Sequence, residues 1–338
     1  MKRVFITGVT GQDGAFLSKL LLEKGYEVYG GVRRTSTLNT WRLEFLGIKD
    51  KVKFVDFDLL EYSNIFQTIK DIKPDEFYNL AAQSFVGTSF KQPILTTDTD
   101  GMGVLRILDA LKTLSPETKF YQASTSEMFG LVQEVPQTEN TPFYPRSPYG
   151  VAKLMAHWMT VNYRESYNMF AVSGILFNHE SELRGPEFVT RKVTMHVAKR
   201  YLGSKDVLQI GNVDSKRDWG YAKEYVEGMY LMLQQDRPDT YILATGQTTS
   251  IREFIKKAFE VIDIDIQWGG KGVDEKGYDK KTGELLVEVN PEFYRPAEVD
   301  LLIGDTSMAE SKLGWKAETK YDKLAKLMVE SDIALLKK

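Results

Sequence analysis

The sequence predicts an α/β protein built on a doubly wound, mostly parallel sheet, and three observations carry that prediction. Runs of apolar β-formers alternate with helical periodicity through the first half of the chain, as parallel βαβ units require. A glycine-rich turn, Gly8-Val9-Thr10-Gly11-Gln12-Asp13-Gly14, falls at the first junction of strand and helix. After about Phe177 the alternation fails, and Arg, Trp, Tyr and Pro become prominent in what reads as loops, so a smaller second unit is expected there.

Each element has a local reason. Arg3 to Thr7 reads as the first strand, and Gln12 to Lys24 as a helix closed by Gly25, which tolerates the left-handed cap. Glu27 to Val32, Val52 to Asp56, Glu76 to Leu80, Lys119 to Ala123 and Phe170 to Ile175 read as further strands. Helices fall near Asn64 to Lys70, Thr99 to Leu114 and Pro148 to Tyr167, the last opened by a capping serine and a first-turn proline, Ser147-Pro148. Tyr241 to Ala244 reads as a strand returning to the main sheet, which interleaves the two units. Gly269 to Glu284, dense in Gly, Lys, Asp and Glu, reads as an exposed loop. No internal repeat or low-complexity tail interrupts this plan.

Composition narrows the function classes. With 338 residues, 42% hydrophobic and 27% charged, the chain has the make-up of a globular protein with a sizeable core. A net charge of −3 supplies no bulk field for nucleic acid or membrane, so an anionic ligand must be met by local Arg and Lys. The absence of cysteine excludes disulfides, thiolate metal sites and cysteine nucleophiles. The apolar run at the start is too short for a signal peptide and no stretch approaches a membrane span, so a cytoplasmic location is expected. Asn178-His179-Glu180 suggests a metal ligand set at first sight, but the other histidines, His157 and His196, have no ligand-like spacing, and no metal is expected.

The glycine-rich turn indicates a dinucleotide. Gly8, Gly11 and Gly14 permit the tight turn and close backbone approach to a pyrophosphate lying on the helix N-terminus, with Thr10, Gln12 and Asp13 around it. Where an NAD-binding protein usually places an acidic ribose ligand, the second strand ends in Arg33-Arg34. A guanidinium offers bidentate bonds to a 2′-phosphate, which favours NADP; a solvated loop is the alternative. Asp58 and Leu59, after the third strand, are candidate adenine contacts. Leu80, Ala82 and Ser84 follow the fourth strand in a small-residue stretch that suits a backbone passing close to a ligand, although packing explains Ala81 and Ala82 equally well.

The chemistry is suggested by four residues. Tyr149 and Lys153, four apart, share one helix face. A tyrosine is a poor base at neutral pH, but a nearby ammonium and an oxidised nicotinamide both favour the phenolate, so Tyr149 can take the proton of a substrate hydroxyl as hydride leaves the same carbon. Thr125, just beyond the fifth strand, lies at the carboxyl edge of the sheet, where its hydroxyl can bond the same oxygen. Glu127 adds a carboxylate that simple dehydrogenation does not need. Beside a ketone it can remove the adjacent proton, and the resulting enolate can expel a hydroxyl one carbon further on.

These motifs give the chain a family resemblance over nearly its whole length. Gly8 to Gly14, Arg33-Arg34, Asn79 to Val86, Gln122 to Glu127, Thr141 to Lys153, Leu176 to Ser181, Phe188 to Lys192, Arg217 to Gly220 and Phe293 to Asp300 resemble the extended short-chain dehydrogenase/reductases, and within them the GDP-mannose 4,6-dehydratase family. The resemblance implies a Rossmann-type fold and dehydration of a GDP-manno-sugar, with Tyr149 as base at the sugar O4, Lys153 as its electrostatic and ribose-binding partner, Thr125 as hydroxyl partner and Glu127 as acid/base at C5 and C6. It further implies that His179 and Arg184 contact NADP, as Lys153 and Tyr149 do. Ser84, Thr125, Ser126, Glu127, Tyr149, Asn178, Lys192, Arg217, Arg295 and Glu298 would hold the nucleotide sugar. A homo-oligomer, tetramer or dimer, is implied, with Thr35 to Arg42 as an interface. Leu38 and Glu182-Leu183 depart from the commonest family pattern. Residues 1–177, with returning segments near 213–244, would form the NADP-binding domain, and 178–338 mainly the sugar-binding one. The same reaction on GDP-mannoheptose, nucleotide-sugar epimerisation or reduction, and a non-catalytic NADP-binding scaffold are the alternatives.

Overall fold

The computed structural model describes residues 1–293 and 301–337. Six strands, β1 (Arg3–Thr7), β2 (Glu27–Val32), β3 (Lys53–Asp56), β4 (Glu76–Asn79), β5 (Lys119–Thr125) and β6 (Ala171–Leu176), join a seventh, Thr240–Leu243, in one sheet. The order is seventh, β6, β5, β4, β1, β2, β3, with every pairing parallel. The connection reverses direction between β1 and β4, and this switch point opens a crevice at the carboxyl ends of the strands.

Helices cover both faces, so the inner strands are largely buried and read as near-continuous apolar runs, whereas the edge strand β3 is not buried. In β1 the alternation is visible residue by residue. Val4 and Ile6 point into a core shared with helices Gln12–Glu23 and Ala222–Leu233, through Leu17, Leu21, Val226 and Met229. Phe5 points the other way, to Phe57, Phe77 and Phe120 under helices Tyr62–Ile72, Gly103–Leu114 and Pro148–Tyr167. Ser147 caps the last helix as expected, its Oγ accepting from the Gly150 amide at 3.0 Å.

Two expectations are corrected. Residues beyond Phe177 are not mainly loops: helices Val189–Tyr201, Ile251–Glu260 and Tyr321–Leu336 pack with a four-stranded sheet around a second core that includes Val193, Phe254, Val287 and Met328. A signal for one of these helices was present in Ser250-Ile251-Arg252-Glu253, where Ser250 Oγ accepts from the Glu253 amide at 3.2 Å. Nor is Gly269 to Glu284 a loop, because Ile266–Gly269, Lys276–Asp279 and Leu285–Val289 form antiparallel strands. Composition hides this pairing. A Cβ on Gly277 would lie 3.1 Å from Ile266 and 3.3 Å from Val287, so the small residue is a packing requirement, and Asp279 ties the turn by accepting from the Lys281 amide and the Thr282 hydroxyl, each at 2.8 Å.

The helix predicted from Thr99 has an irregular start. A π turn, Asp98–Met102, precedes the regular helix Gly103–Leu114 and packs against helix Pro148–Tyr167.

Candidate active site

The cofactor crevice is shaped by contacts that leave no room for side chains. Gly8 adopts φ +67°, and a Cβ there would lie 2.9 Å from the Ala81 nitrogen. A Cβ on Gly14 would sit 2.3 Å from the Gly8 carbonyl oxygen, so helix and turn meet backbone to backbone. Thr7 organises the neighbouring loop: its Oγ1 accepts from the amides of Leu80 and Ala81, both at 3.0 Å, and donates to Asn79 Oδ1 at 2.7 Å. The bare turn at a helix N-terminus is the cradle a pyrophosphate requires, and these residues fit a dinucleotide.

Asp13, Leu80, Ala82, Ser84, Thr125, Glu127, Tyr149, Lys153, Asn178, His179, Arg184, Lys192 and Arg217 all line one cleft running from that turn. His179 is fixed on both ring nitrogens: Nδ1 meets the Phe177 carbonyl at 2.7 Å and Nε2 meets Asp13 Oδ2 at 2.9 Å. Burial alone would lower its pKa, but the Asp13 charge and two acceptors outweigh it and raise it. Burial likewise opposes ionisation of Asp13, and the His179 charge and hydrogen bond reverse this, so its carboxyl is held below the usual range. Arg184 lies over the Phe188 ring at 3.6 Å with Nε 3.1 Å from Glu180.

Thr125 ends β5, and its hydroxyl accepts from the Glu127 amide at 3.2 Å, closing a single turn, Ser126–Met128. That turn presents Thr125 and the largely buried Glu127 to the cleft and directs Ser126 inward, where its Oγ is buried and outside the cleft lining. A Cβ on Gly150 would lie 2.8 Å from the Glu127 carbonyl oxygen, so the helix start abuts this turn and brings Tyr149 beside Thr125. Lys153, one turn on, donates to the Ala123 carbonyl at 2.6 Å and lies 5.9 Å from the Tyr149 ring centroid. Burial and then the Asp100 charge push the Tyr149 hydroxyl up, while its hydrogen bond to Thr125 acts downward. Burial pushes the Lys153 ammonium down, and Asp100 opposes that.

Other residues singled out from sequence lie elsewhere. Gln12 is turned inward, donating to the His179 carbonyl at 3.1 Å and accepting from Ser181 at 2.7 Å. The Thr10 carbonyl accepts from Arg42 at 3.1 Å. Arg33 and Arg34 are exposed at the end of β2, Asp58 closes a turn by accepting from the Leu60 amide at 3.0 Å, and the Leu59 side chain is in the core. Arg295 and Glu298 lie outside the described residues. His157 is bonded to Ser173 at 2.8 Å and His196 sits near the Phe259 ring. Sequence reasoning missed Asp100, whose only local sign is an acid before Gly101, and missed the aromatic lining of Phe85, Phe188, Trp219 and Phe293. Lys192 lies over the Phe293 ring at 3.7 Å, and burial lowers its pKa.

A parallel sheet reversing at the glycine turn, with Tyr149 and Lys153 on one helix face beside Thr125, defines an extended short-chain dehydrogenase/reductase. Solved structures share the fold: a dTDP-glucose 4,6-dehydratase from Bacillus anthracis in complex with NAD has a TM-score of 0.80 at 17% identity, covering 98% of this chain and 96% of its own. RMD from Pseudomonas aeruginosa, complexed with NADPH, has 0.76 at 21%, covering 99% and 100%. The family is narrower than that fold. The GDP-mannose 4,6 dehydratase family model matches residues 5–328, and a GDP-mannose 4,6 dehydratase from Cricetulus griseus is 53% identical over 99% of this chain and 92% of its own. The chain belongs to the GDP-mannose 4,6-dehydratase family.

Proposed function

We propose that the protein converts GDP-α-D-mannose to GDP-4-dehydro-6-deoxy-α-D-mannose, with NADP as a tightly held cofactor. The observation that carries this reading is Glu127, a carboxylate set beside Thr125 and Tyr149 in one cleft, where hydride transfer alone has no use for it. The bound cofactor supplies an acceptor for the C4 hydride, a positive charge near Tyr149 while oxidised, and the same hydride for C6 afterwards. Tyr149 takes the O4 proton as C4 becomes a carbonyl, Thr125 holds that oxygen, and Lys153 stabilises the phenolate. Glu127 removes the C5 proton, now acidic beside the ketone, and returns it to the C6 hydroxyl, which leaves as water. C5 regains a proton as C6 takes hydride, so water is lost with no net redox change.

His179 and Arg184 hold the cofactor, and Arg33 and Arg34, exposed where the ribose carboxylate of an NAD site would stand, favour the 2′-phosphate. Asn178, Lys192 and Arg217, with Arg295 and Glu298, hold the nucleotide sugar. Residues 1–177 with 213–244 form the cofactor domain and 178–338 mainly the sugar domain. The protein is read as a cytoplasmic homo-oligomer; among the described residues no helix is long and apolar enough to cross a membrane.

The test incubates the purified protein with GDP-mannose, and separately GDP-mannoheptose, in heavy water, and follows the products by NMR. The expected product from GDP-mannose carries solvent hydrogen at C5, and nucleotide released on denaturation is NADP. Turnover of the heptose alone would move the substrate assignment. A folded Glu127→Gln variant that dehydrates at the normal rate would overturn the mechanism.

A further inference from the structure

Asp100 is a buried carboxylate to which the mechanism above gives no task. It lies in the π turn Asp98–Met102 and is 1% exposed. One oxygen accepts from the Gln83 amide at 2.7 Å, and Gln83 sits between the cleft residues Ala82 and Ser84. The other oxygen, Oδ2, is fully buried and accepts no hydrogen bond among the described residues. Such a group is costly to bury, so its retention asks for a reason.

The surroundings supply one. A Cβ on Gly101 would lie 2.9 Å from Met155 Sδ and 3.4 Å from the Ala152 carbonyl oxygen, so glycine lets this turn press against the helix at the residue preceding Lys153. Among the described residues the charged groups around Asp100 are few. Helix Pro148–Tyr167 contributes Lys153 and Tyr149, and His157, one turn further, is held uncharged, its pKa pushed down to about 4 by burial. Asp98, in the same turn, pairs with Arg106 of helix Gly103–Leu114 at 2.7 Å. The segment Pro93–Thr97 brings no charge. Around Tyr149 itself stand Glu127 and Arg184.

We propose that Asp100 is a positioning residue for hydride transfer, a buried negative charge that holds the Lys153 ammonium in place and sets the pH range over which Lys153 and Tyr149 work, while its Oδ1 anchors the cofactor loop through the Gln83 amide. Burial pushes the Asp100 carboxyl up to about 6, which leaves it ionised at neutral pH. Its charge opposes the desolvation that pushes the Lys153 ammonium down, and it raises the Tyr149 hydroxyl. Removing the charge therefore lowers both pKa values and moves the whole activity profile toward acid. A residue that only supports the fold would scale the profile without moving it.

The inference rests on the roles proposed for Tyr149 and Lys153. Asp100→Asn and Asp100→Ser each remove the charge and leave an acceptor for the Gln83 amide. The pH dependence of kcat/KM for GDP-mannose is measured on the cofactor-loaded protein, together with melting at neutral pH. Both limbs are expected to move about one pH unit toward acid, with activity above the optimum falling about tenfold, and with no loss of melting temperature. In a Lys153→Met background the alkaline limb is expected to be absent, and adding Asp100→Asn to move only the acid limb. Profiles that stay in place, or failure of both variants to fold, overturn the proposal. If Tyr149→Phe and Lys153→Met themselves dehydrate normally, the catalytic reading fails; if they are impaired while the Asp100 variants keep the normal profile, only the role of Asp100 fails.

Discussion

Replacing Lys153 by Met removes one charge while keeping a long apolar stem in the same buried slot. The ammonium lies 5.9 Å from the Tyr149 ring centroid, on the same helix face. At that separation and an effective dielectric of about 20, the attraction between ammonium and phenolate is about 3 kcal/mol. That corresponds to about two pKa units on the phenol. The deletion leaves the Ala123 carbonyl satisfied, because it also accepts from Gln122 Nε2 at 3.0 Å. The direction follows from charge: without the cation the phenolate is harder to form, so the acid limb of kcat/KM moves up by about two pH units. Along the acid limb the variant is expected to be about a hundredfold slower, with the deficit shrinking about tenfold per pH unit once pH passes the native limb. The assay is product formation from GDP-mannose across the pH range, with cofactor content checked in parallel. A deficit of constant ratio at every pH would refute the electrostatic reasoning and leave Lys153 a purely geometric role.

Two further outcomes follow from packing and burial. Gly14→Ala places a methyl 2.3 Å from the Gly8 carbonyl oxygen and 2.6 Å from Val9 Cα, whereas in Gly11→Ala the nearest contact is 3.1 Å. The first is therefore expected to cost about 3 kcal/mol and to lose bound dinucleotide, the second far less; a reversed order of melting temperatures and nucleotide content would contradict the backbone-contact argument. His157 is buried, bonded to Ser173, and pushed down to about 4 from an ordinary 6.5, so the unfolded chain takes the proton first. Its contribution to stability is full above about pH 6.5 and is lost as pH falls toward 4, amounting to about 3 kcal/mol at most. Denaturant melts should show this decline, and His157→Gln should flatten it.

Much of the nucleotide-binding half was legible because its signals are local. Gly25 with φ +81°, the Ser147 cap and the spacing of Tyr149 and Lys153 each act within one or two turns of chain. The returning strand at Thr240–Leu243 was legible from its apolar β-formers. The hairpin around Gly277 was not, since its apolar partners, Ile266, Trp268 and Val287, lie on other strands and its own residues look like a loop. In the site, the family resemblance pointed to Ser126 and the glycine motif to Gln12, while the directions of their side chains depend on the turn after Thr125 and on Ser181 across the chain.

By itself the sequence determined the glycine turn, the helix that carries Tyr149 and Lys153, and the presence of an extra acid at Glu127, because backbone sterics and helical period act over a few residues. Tertiary structure alone decided which side chains share the cleft. It gathered Asp13, Glu127, Asn178, Lys192 and Arg217 from across the chain, and it pressed an unremarked aspartate, Asp100, against the helix at Lys153. The reason is physical: burial and the charges of distant neighbours determine what a carboxylate does, and neither is a property of the residues beside it in sequence.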